Sequence, residues 1–315
     1  MVPDRDQSQL SQDLVYLSEN QYIVIHRQDE NSEFCELADP LLSAHISKAL
    51  TKREKQIVHL ELAKYFEEKS QLVSPMELAD HYLNGGENDT AQRLFMEIAS
   101  TAESKGLLEQ AKLAYLKAES ALGSLDSNLK MREASHCRLM LLRVYLRTSQ
   151  LDSAREMSVR LEKDSLEFAQ QIEFLNLQGQ LCARAGELEG AIQTYDQAIT
   201  MISSQPIMKN QEKTIDLYFL KVIALIRLTR YADAEKIIND ANELRHLFSQ
   251  SQSAQIQNLS GIVAFYSGRS DEAILHYQES LKAAEEANDA KAKMRALNQM
   301  GMVFQFLSEF KNAAE

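Results

Sequence analysis

The chain repeats a spacing. Segment 175–198 (LNLQGQLCARAGELEGAIQTYDQA) places Gly179, then Ala191 twelve residues on, Tyr195 four further and Ala198 three further. Segment 257–280 (QNLSGIVAFYSGRSDEAILHYQES) keeps those offsets with Gly261, Ala273, Tyr277 and Ser280, and a copy from 297 (LNQMGMVFQFLSEFKNAAE) carries Gly301 and Ala313. Weaker copies centre on Ala111, Ala154 and Ala234. The anchoring alanines thus recur with a period of roughly 40 residues, which marks a stack of supersecondary units, each burying its apolar face only against its neighbours. The offsets suit an antiparallel helix pair. A small residue late in the first helix (Gly179, Gly261, Gly301) lets the second helix approach, a small residue early in the second meets it, and Tyr195 or Tyr277 fills the gap to the next unit. Gly106, Gly186 and Gly268 fall between the two helices, where a left-handed C-cap favours glycine.

Composition points the same way. Ten glycines and four prolines among 315 residues are far below the average share of roughly 12%. Sandwiches, barrels and doubly wound sheets use these residues in their tight turns, so long helices with short connections are expected. The net charge of −12 shows no basic stripe. An acidic surface repels phosphate backbones, so no nucleic acid is expected to bind through this chain. Three widely spaced cysteines, Cys35, Cys137 and Cys182, read as small buried hydrophobes in a reducing compartment. The polar N-terminus has no signal-peptide core, and no uninterrupted apolar run is long enough to span a bilayer. A cytoplasmic location away from membranes is expected.

The repeated offsets resemble the tetratricopeptide repeat (TPR), whose usual period is shorter, at roughly 34 residues. Longer helices or linkers, as around 201–212 and 246–254, absorb the difference. The resemblance implies an all-α fold, a right-handed superhelix of TPR-like hairpins over residues 73–315. The long period resembles the sensor superhelices of bacterial regulators more than compact co-chaperone domains.

Residues 1–72 do not share the period. Residues 9–18 can form a short helix, and YIVIH (22–26) and EFCEL (33–37) are β-rich runs around a polar turn. Asp39-Pro40 begins a helix, PLLSAHISKAL, followed by the amphipathic REKQIVHLELAKYFEE. This order resembles the winged-helix tail and helical junction of bacterial signal-transduction NTPases of the STAND and AAA-like type, including maltose-regulator-like activators. The counterparts of that family's motifs are Phe34 through Ala38-Asp39-Pro40-Leu41-Leu42, then Arg53 or Lys55 with His59, Ala63 and Phe66, then Glu77-Leu78-Ala79-Asp80-His81-Tyr82. Asp39 stands where the family usually has histidine. The resemblance implies a winged-helix-like subdomain at 1–72 that acts as a mechanical link, with an NTPase upstream. No G-x-x-x-x-G-K-[ST] phosphate loop occurs in the chain itself, and further repeats are expected downstream.

No catalytic, cofactor or metal site is expected. None of the seven histidines has a ligand partner at helical spacing, and no Ser, Cys or Lys has neighbours that would activate a nucleophile. The candidate site is the face lined by the first helices. With Gly179 as reference, the inward positions lie three before, one after, four after and five after it. They give Leu139, Arg143, Leu146 and Arg147; then Asn176, Gln180, Ala183 and Arg184; then Phe219, Ile223, Ile226 and Arg227. Asn258, Ile262, Phe265 and Tyr266 follow, then Asn298, Met302, Gln305 and Phe306. Arginine recurs at the last position and then gives way to aromatics, while asparagine recurs at the first. Such a face suits backbone carbonyls or carboxylates at one end and apolar anchors at the other. The competing assignment pairs the arginines with acidic groups of adjacent helices and packs the aromatics between repeats. The expected partner is a protein, a peptide or a small-molecule inducer. The chain is read as the sensor or interaction arm of a larger ATP-dependent regulator. The alternative is a stand-alone receptor for a peptide or response regulator.

Overall fold

The structure is a computed structural model that describes residues 12, 15–20, 22–29, 32–37, 46, 48–68, 73–123, 128–204 and 211–307. It divides into two compact units, Met1–Ile98 and Ala99–Glu315. Of the short helix expected over 9–18, residues 15–18 are helical, and the stretch continues to residue 19. Most of PLLSAHISKAL, with its Asp39-Pro40 start, lies outside the described residues, as does Ala313.

In the first unit, β1 (Ile23–Asp29) and β2 (Ser32–Leu37) pair antiparallel, with Ile23 opposite Leu37 and Ile25 opposite Cys35. The strands run further into the polar segment than the apolar runs alone indicate, and the register becomes irregular between Arg27 and Asp29. Helix α1 (Lys52–Glu68) packs on α2 (Pro75–Gly85). Helix α2 starts at a reciprocal cap. Ser74 Oγ accepts the Glu77 N–H at 3.2 Å, the Glu77 carboxylate accepts the Ser74 N–H at 3.0 Å, and Pro75 follows at the first helical position. It ends at Gly86, whose φ of 90° is left-handed. The motif residues of the two helices meet: Ala63 and Ala79 are fully buried, and Tyr82 Oη donates to Glu67 at 2.6 Å. Burial and the Glu67 carboxylate push the Tyr82 hydroxyl up to about 12.

Helix α3 (Asn88–Ser104) spans the boundary between the units. Helices α4 (Leu108–Ala121), α5 (Asn128–Arg147), α6 (Leu151–Leu161), α7 (Phe168–Ala185), α8 (Leu188–Ser203), α9 (Gln211–Arg227), α10 (Tyr231–Asn242), α11 (Gln250–Tyr266), α12 (Ser270–Glu286) and α13 (Ala290–Phe306) follow. Within this second unit the pairs α5/α6, α7/α8, α9/α10 and α11/α12 are hairpins, and each packs on the next. The first helices of these hairpins, at 17 to 20 residues, absorb part of the long period. The stretch 246–254 is less of a linker than expected, because Ser249 and Gln252 form a reciprocal cap that starts α11 at residue 250.

The spacing has a concrete basis. Ala111, Ala154, Ala191, Ala234 and Ala273 are all fully buried. Five residues before each stands a left-handed residue: Gly106, Ser149, Gly186, Thr229 and Gly268, with φ between 58° and 87°. A Cβ on Gly179 or Gly261 would lie 2.7 Å from Cδ1 of Tyr195 or Tyr277, so each ring rests on the glycine of its own hairpin. Tyr195 also shares a cluster with Leu217 of α9, and Tyr277 with Val303 of α13, so each ring reaches the next unit as well. A continuous core runs from Ile192 on α8 through Phe219 and Val222 on α9 and Ile238 on α10 to Ile256 and Val263 on α11. Each such aliphatic side chain contributes about 1.5–3 kcal/mol on burial. Among the described residues neither Cys137, which is buried, nor Cys182, which is half-buried, is in a disulfide. Among the described residues no helix is long and apolar enough to cross a membrane.

Candidate functional site

The arginines of the first-helix face have partners inside the stack. Glu103, near the end of α3, accepts from Arg143 Nη2 at 3.2 Å, from Arg147 Nη1 at 3.0 Å and from Tyr115 Oη at 3.0 Å. Burial by itself raises the Glu103 pKa, but the Arg143 guanidinium outweighs it and holds the carboxyl below the ordinary range. The Tyr115 hydroxyl is pushed up to about 12 by burial and by Glu103. Arg143 also reaches Glu173 on α7 at 3.5 Å.

Arg184 and Arg227 bond to backbone. Arg184 Nη1 donates to the Leu146 carbonyl, and Arg227 Nη1 donates to the Ala183 carbonyl, each at 2.8 Å. Both acceptors lie in the last turn of the preceding first helix, where carbonyls lack an intrahelical donor and a cation is favoured by the helix dipole. These bonds tie each hairpin to the one before it.

The remaining candidates divide by burial. Asn176 and Gln180 share a 3.0 Å hydrogen bond, with Gln180 Nε2 donating, and both stay partly accessible. Phe219 is 2% exposed and meets Phe248 edge-on at 5.8 Å. It is therefore part of the core and presents nothing at the surface, a correction to the register-based assignment. Asn258 is half-buried, and among the described residues its Oδ1 has no hydrogen-bond partner. Ile262 and Phe265 are half-buried, and Asn298 is exposed. Ile223, Tyr266, Met302 and Phe306 are exposed apolar groups, Tyr266 at 55% and Phe306 at 71%. Tyr266 stacks on Tyr231 with centroids 5.3 Å apart, while Phe265 meets Tyr266 and Phe306 edge-on.

Several features escape one-dimensional spacing. Between α7 and α9 a polar cleft of about 270 Å³ is lined by Ile172, Glu173, Asn176, Lys213, Asp216 and Leu217, of which only Asn176 lies on the register. A larger cleft of about 620 Å³ lies between the N-terminal half of α7 and the C-terminal half of α8, lined by Phe174, Leu175, Asp196, Gln197 and Met201 among others. Helix α6 has 11 residues where α8 has 16, so no equally long second helix stands before the last turns of α8. In the first unit His59 Nδ1 lies 3.1 Å from His81 Nδ1, with the Phe66 ring tilted against His81, centroids 5.4 Å apart. These two histidines are 22 residues apart, and only the α1/α2 packing joins them. Among the described residues no group of three or more His, Cys, Asp or Glu could hold a metal ion.

Residues 139–206, from the middle of α5 past the end of α8, match the tetratricopeptide repeat family. No curated protein sequence matches the chain. Among solved structures, the apo form of RapI is similar with 17% identity and a TM-score of 0.56, over 70% of this chain and 62% of that one. The apo form of the quorum sensor NprR from B. thuringiensis is similar with 14% identity and a TM-score of 0.53, over 98% of this chain and 94% of that one. A Signal Transduction ATPase with Numerous Domains (STAND) protein with a tetratricopeptide repeat sensor, from Pyrococcus horikoshii, is similar with 12% identity and a TM-score of 0.52. It is matched over 95% of this chain but only 44% of its own length. At these identities the likeness is one of fold, a stack of helical hairpins, within which residues 139–206 match the tetratricopeptide repeat.

Proposed function

We propose that the chain is a protein- or peptide-binding sensor region whose partner lies along the first-helix face. The observation that carries this reading is the row of accessible groups at equivalent positions of α7, α9, α11 and α13: Asn176, Ile223, Tyr266, Asn298, Met302 and Phe306. Asparagine offers both a donor and an acceptor to a peptide backbone, and the exposed apolar groups offer anchors. The arginines contribute less to contact than their spacing indicates, since Arg143, Arg147, Arg184 and Arg227 all bond within the stack.

The finer reading makes this region the sensor arm of a larger bacterial signal-transduction ATPase, with residues 1–72 as a winged-helix-like link. It draws on the hairpin, the α1/α2 motif residues and the likeness to the STAND protein. Partner binding would then shift the equilibrium between two arrangements of the whole protein by binding one of them more tightly. The alternative is a stand-alone receptor for a peptide or response regulator, and the fold likeness to the quorum sensor NprR supports a receptor role.

Random peptides displayed on phage and selected on the full chain test the binding reading. Selected peptides are expected to lose at least tenfold in affinity on Asn298→Ala and Met302→Glu, and to bind unchanged to Val159→Glu on α6. Equal binding to all three variants refutes it. An ATPase P-loop in the same polypeptide upstream of Met1 separates the regulator from the receptor.

A further inference from the structure

The last position of the register changes character along the stack. Arg184 and Arg227 each reach back one hairpin to a helix C-terminal carbonyl, Leu146 O and Ala183 O. Each oxygen also accepts the N–H of the left-handed residue three positions on, Ser149 at 3.1 Å and Gly186 at 3.4 Å. The arginine therefore occupies the second acceptor direction of an oxygen already engaged once. The next oxygens in register are those of Ile226 and Phe265. They accept the N–H of Thr229 and of Gly268, both at 2.9 Å, but one hairpin further on the residues are Tyr266 and Phe306. Among the described residues neither oxygen receives a side-chain donor.

In the register the two aromatics stand at the position the arginines hold. Tyr266 stacks nearly parallel, at 3°, on Tyr231, the residue that follows the α9–α10 turn. Phe306 meets Phe265 at 87°. Both rings are more than half exposed. Each place thus combines a carbonyl with a free acceptor direction, the negative end of a helix dipole and an accessible aromatic ring. All three attract a cation, and the net charge of −12 adds long-range attraction.

Resting on the reading that the first-helix face binds a partner, we infer that Tyr266 with the Ile226 carbonyl, and Phe306 with the Phe265 carbonyl, receive cationic side chains of a bound peptide. The peptide's arginine or lysine takes the place that Arg184 and Arg227 fill within the chain. Its ammonium or guanidinium donates to the carbonyl and lies against the ring. A guanidinium suits both contacts, since it is planar and weakly hydrated. The partner is accordingly a basic peptide segment, and acidic or purely apolar segments are disfavoured at these two places.

The full chain with 13C-labelled tyrosine and phenylalanine rings is titrated with the capped tripeptide acetyl-Ala-Arg-Ala-amide. A second titration uses the same peptide with citrulline, which keeps the shape of arginine and removes its charge. The arginine peptide is expected to move the ring resonances of Tyr231, Tyr266 and Phe306 to saturation. The citrulline peptide is expected to bind at least tenfold more weakly. Equal shifts from both peptides overturn the inference without any variant. Tyr266→Arg places in this register the residue that serves at 184 and 227. It is expected to abolish the movement of Tyr231 while that of Phe306 persists. Unaltered Tyr231 shifts in this variant would mean general attraction to an acidic chain and would also overturn the inference. If selected phage peptides bind the face with no arginine or lysine, the scaffold reading stands and this one falls.

Discussion

The ring of Tyr195 rests on Gly179, with Cδ1 2.7 Å from the point where any side chain at that position would place its Cβ. The ring is 1% exposed and has no free space to move into. Gly179→Ala is therefore expected to destabilise by about 2 kcal/mol through overpacking, read by urea unfolding. Gly301 stands at the same register position in α13, but among the described residues nothing lies within 4 Å of its would-be Cβ. There the helix preference for alanine prevails, and Gly301→Ala is expected to stabilise by about 0.5–1 kcal/mol. A loss at both positions would mean that the two glycines serve something other than the approach of a ring.

Thr229 and Ser149 hold the left-handed turn position with φ of 58°, where the equivalent hairpins have Gly186 and Gly268. A β-branched residue is strained there, at a cost of roughly 1–2 kcal/mol. Thr229→Gly keeps the N–H that bonds the Ile226 carbonyl and relieves the strain. An increase in stability of about 1 kcal/mol is expected, with a smaller one for Ser149→Gly. The converse change, Gly186→Ala, is expected to lower stability by about 1 kcal/mol. Denaturation midpoints of the three variants decide the matter.

Two buried tyrosines give opposite expectations. Tyr277 is fully buried, and among the described residues its hydroxyl has no partner. Tyr115 is as deeply buried but donates to Glu103 at 3.0 Å. An unmade hydrogen bond in the interior costs about 1–3 kcal/mol, and a made one contributes about 1 kcal/mol. Thermal unfolding should show Tyr277→Phe unchanged or more stable and Tyr115→Phe less stable. A destabilised Tyr277→Phe would reveal a bonding partner for that hydroxyl.

The first unit carries a pH dependence. His59 and His81 meet through their Nδ1 atoms, one ring donating and the other accepting, which requires that they are not both protonated. Burial, and then the charge of His81, hold the His59 pKa below its ordinary 6.5. The unfolded chain thus binds a proton more readily than the folded one. Stability from this group is full above about pH 6.5 and is lost as pH falls below it. Protection factors in α1 and α2, taken relative to the intrinsic exchange rate at each pH, should fall as the solution goes from mildly alkaline to mildly acidic in the wild type, and less so in His59→Phe. An equal response in both would exclude this pair as the cause.

The hairpin grammar is legible in the residue spacing alone. Scarce glycine and proline, and the Gly–Ala–Tyr offsets around 179 and 261, were enough to place helices, turns and buried alanines, because helix pairing is a local, periodic problem. Even the weak copies at Ala154 and Ala234 hold, with Ser149 and Thr229 accepting the strain that glycine avoids. How each surface group is used emerges from the packing of one hairpin on another. Spacing puts Arg184, Arg227 and Tyr266 in one column. Whether the group at that column bonds the carbonyl behind it depends on side-chain reach between hairpins that are distant in sequence. The same holds for Phe219, which the register places outside and Phe248 draws into the core, and for His59 with His81. Local periodicity specifies the backbone scaffold, but contacts across hairpins are set by packing, and these decide which positions of a repeated face remain free to bind.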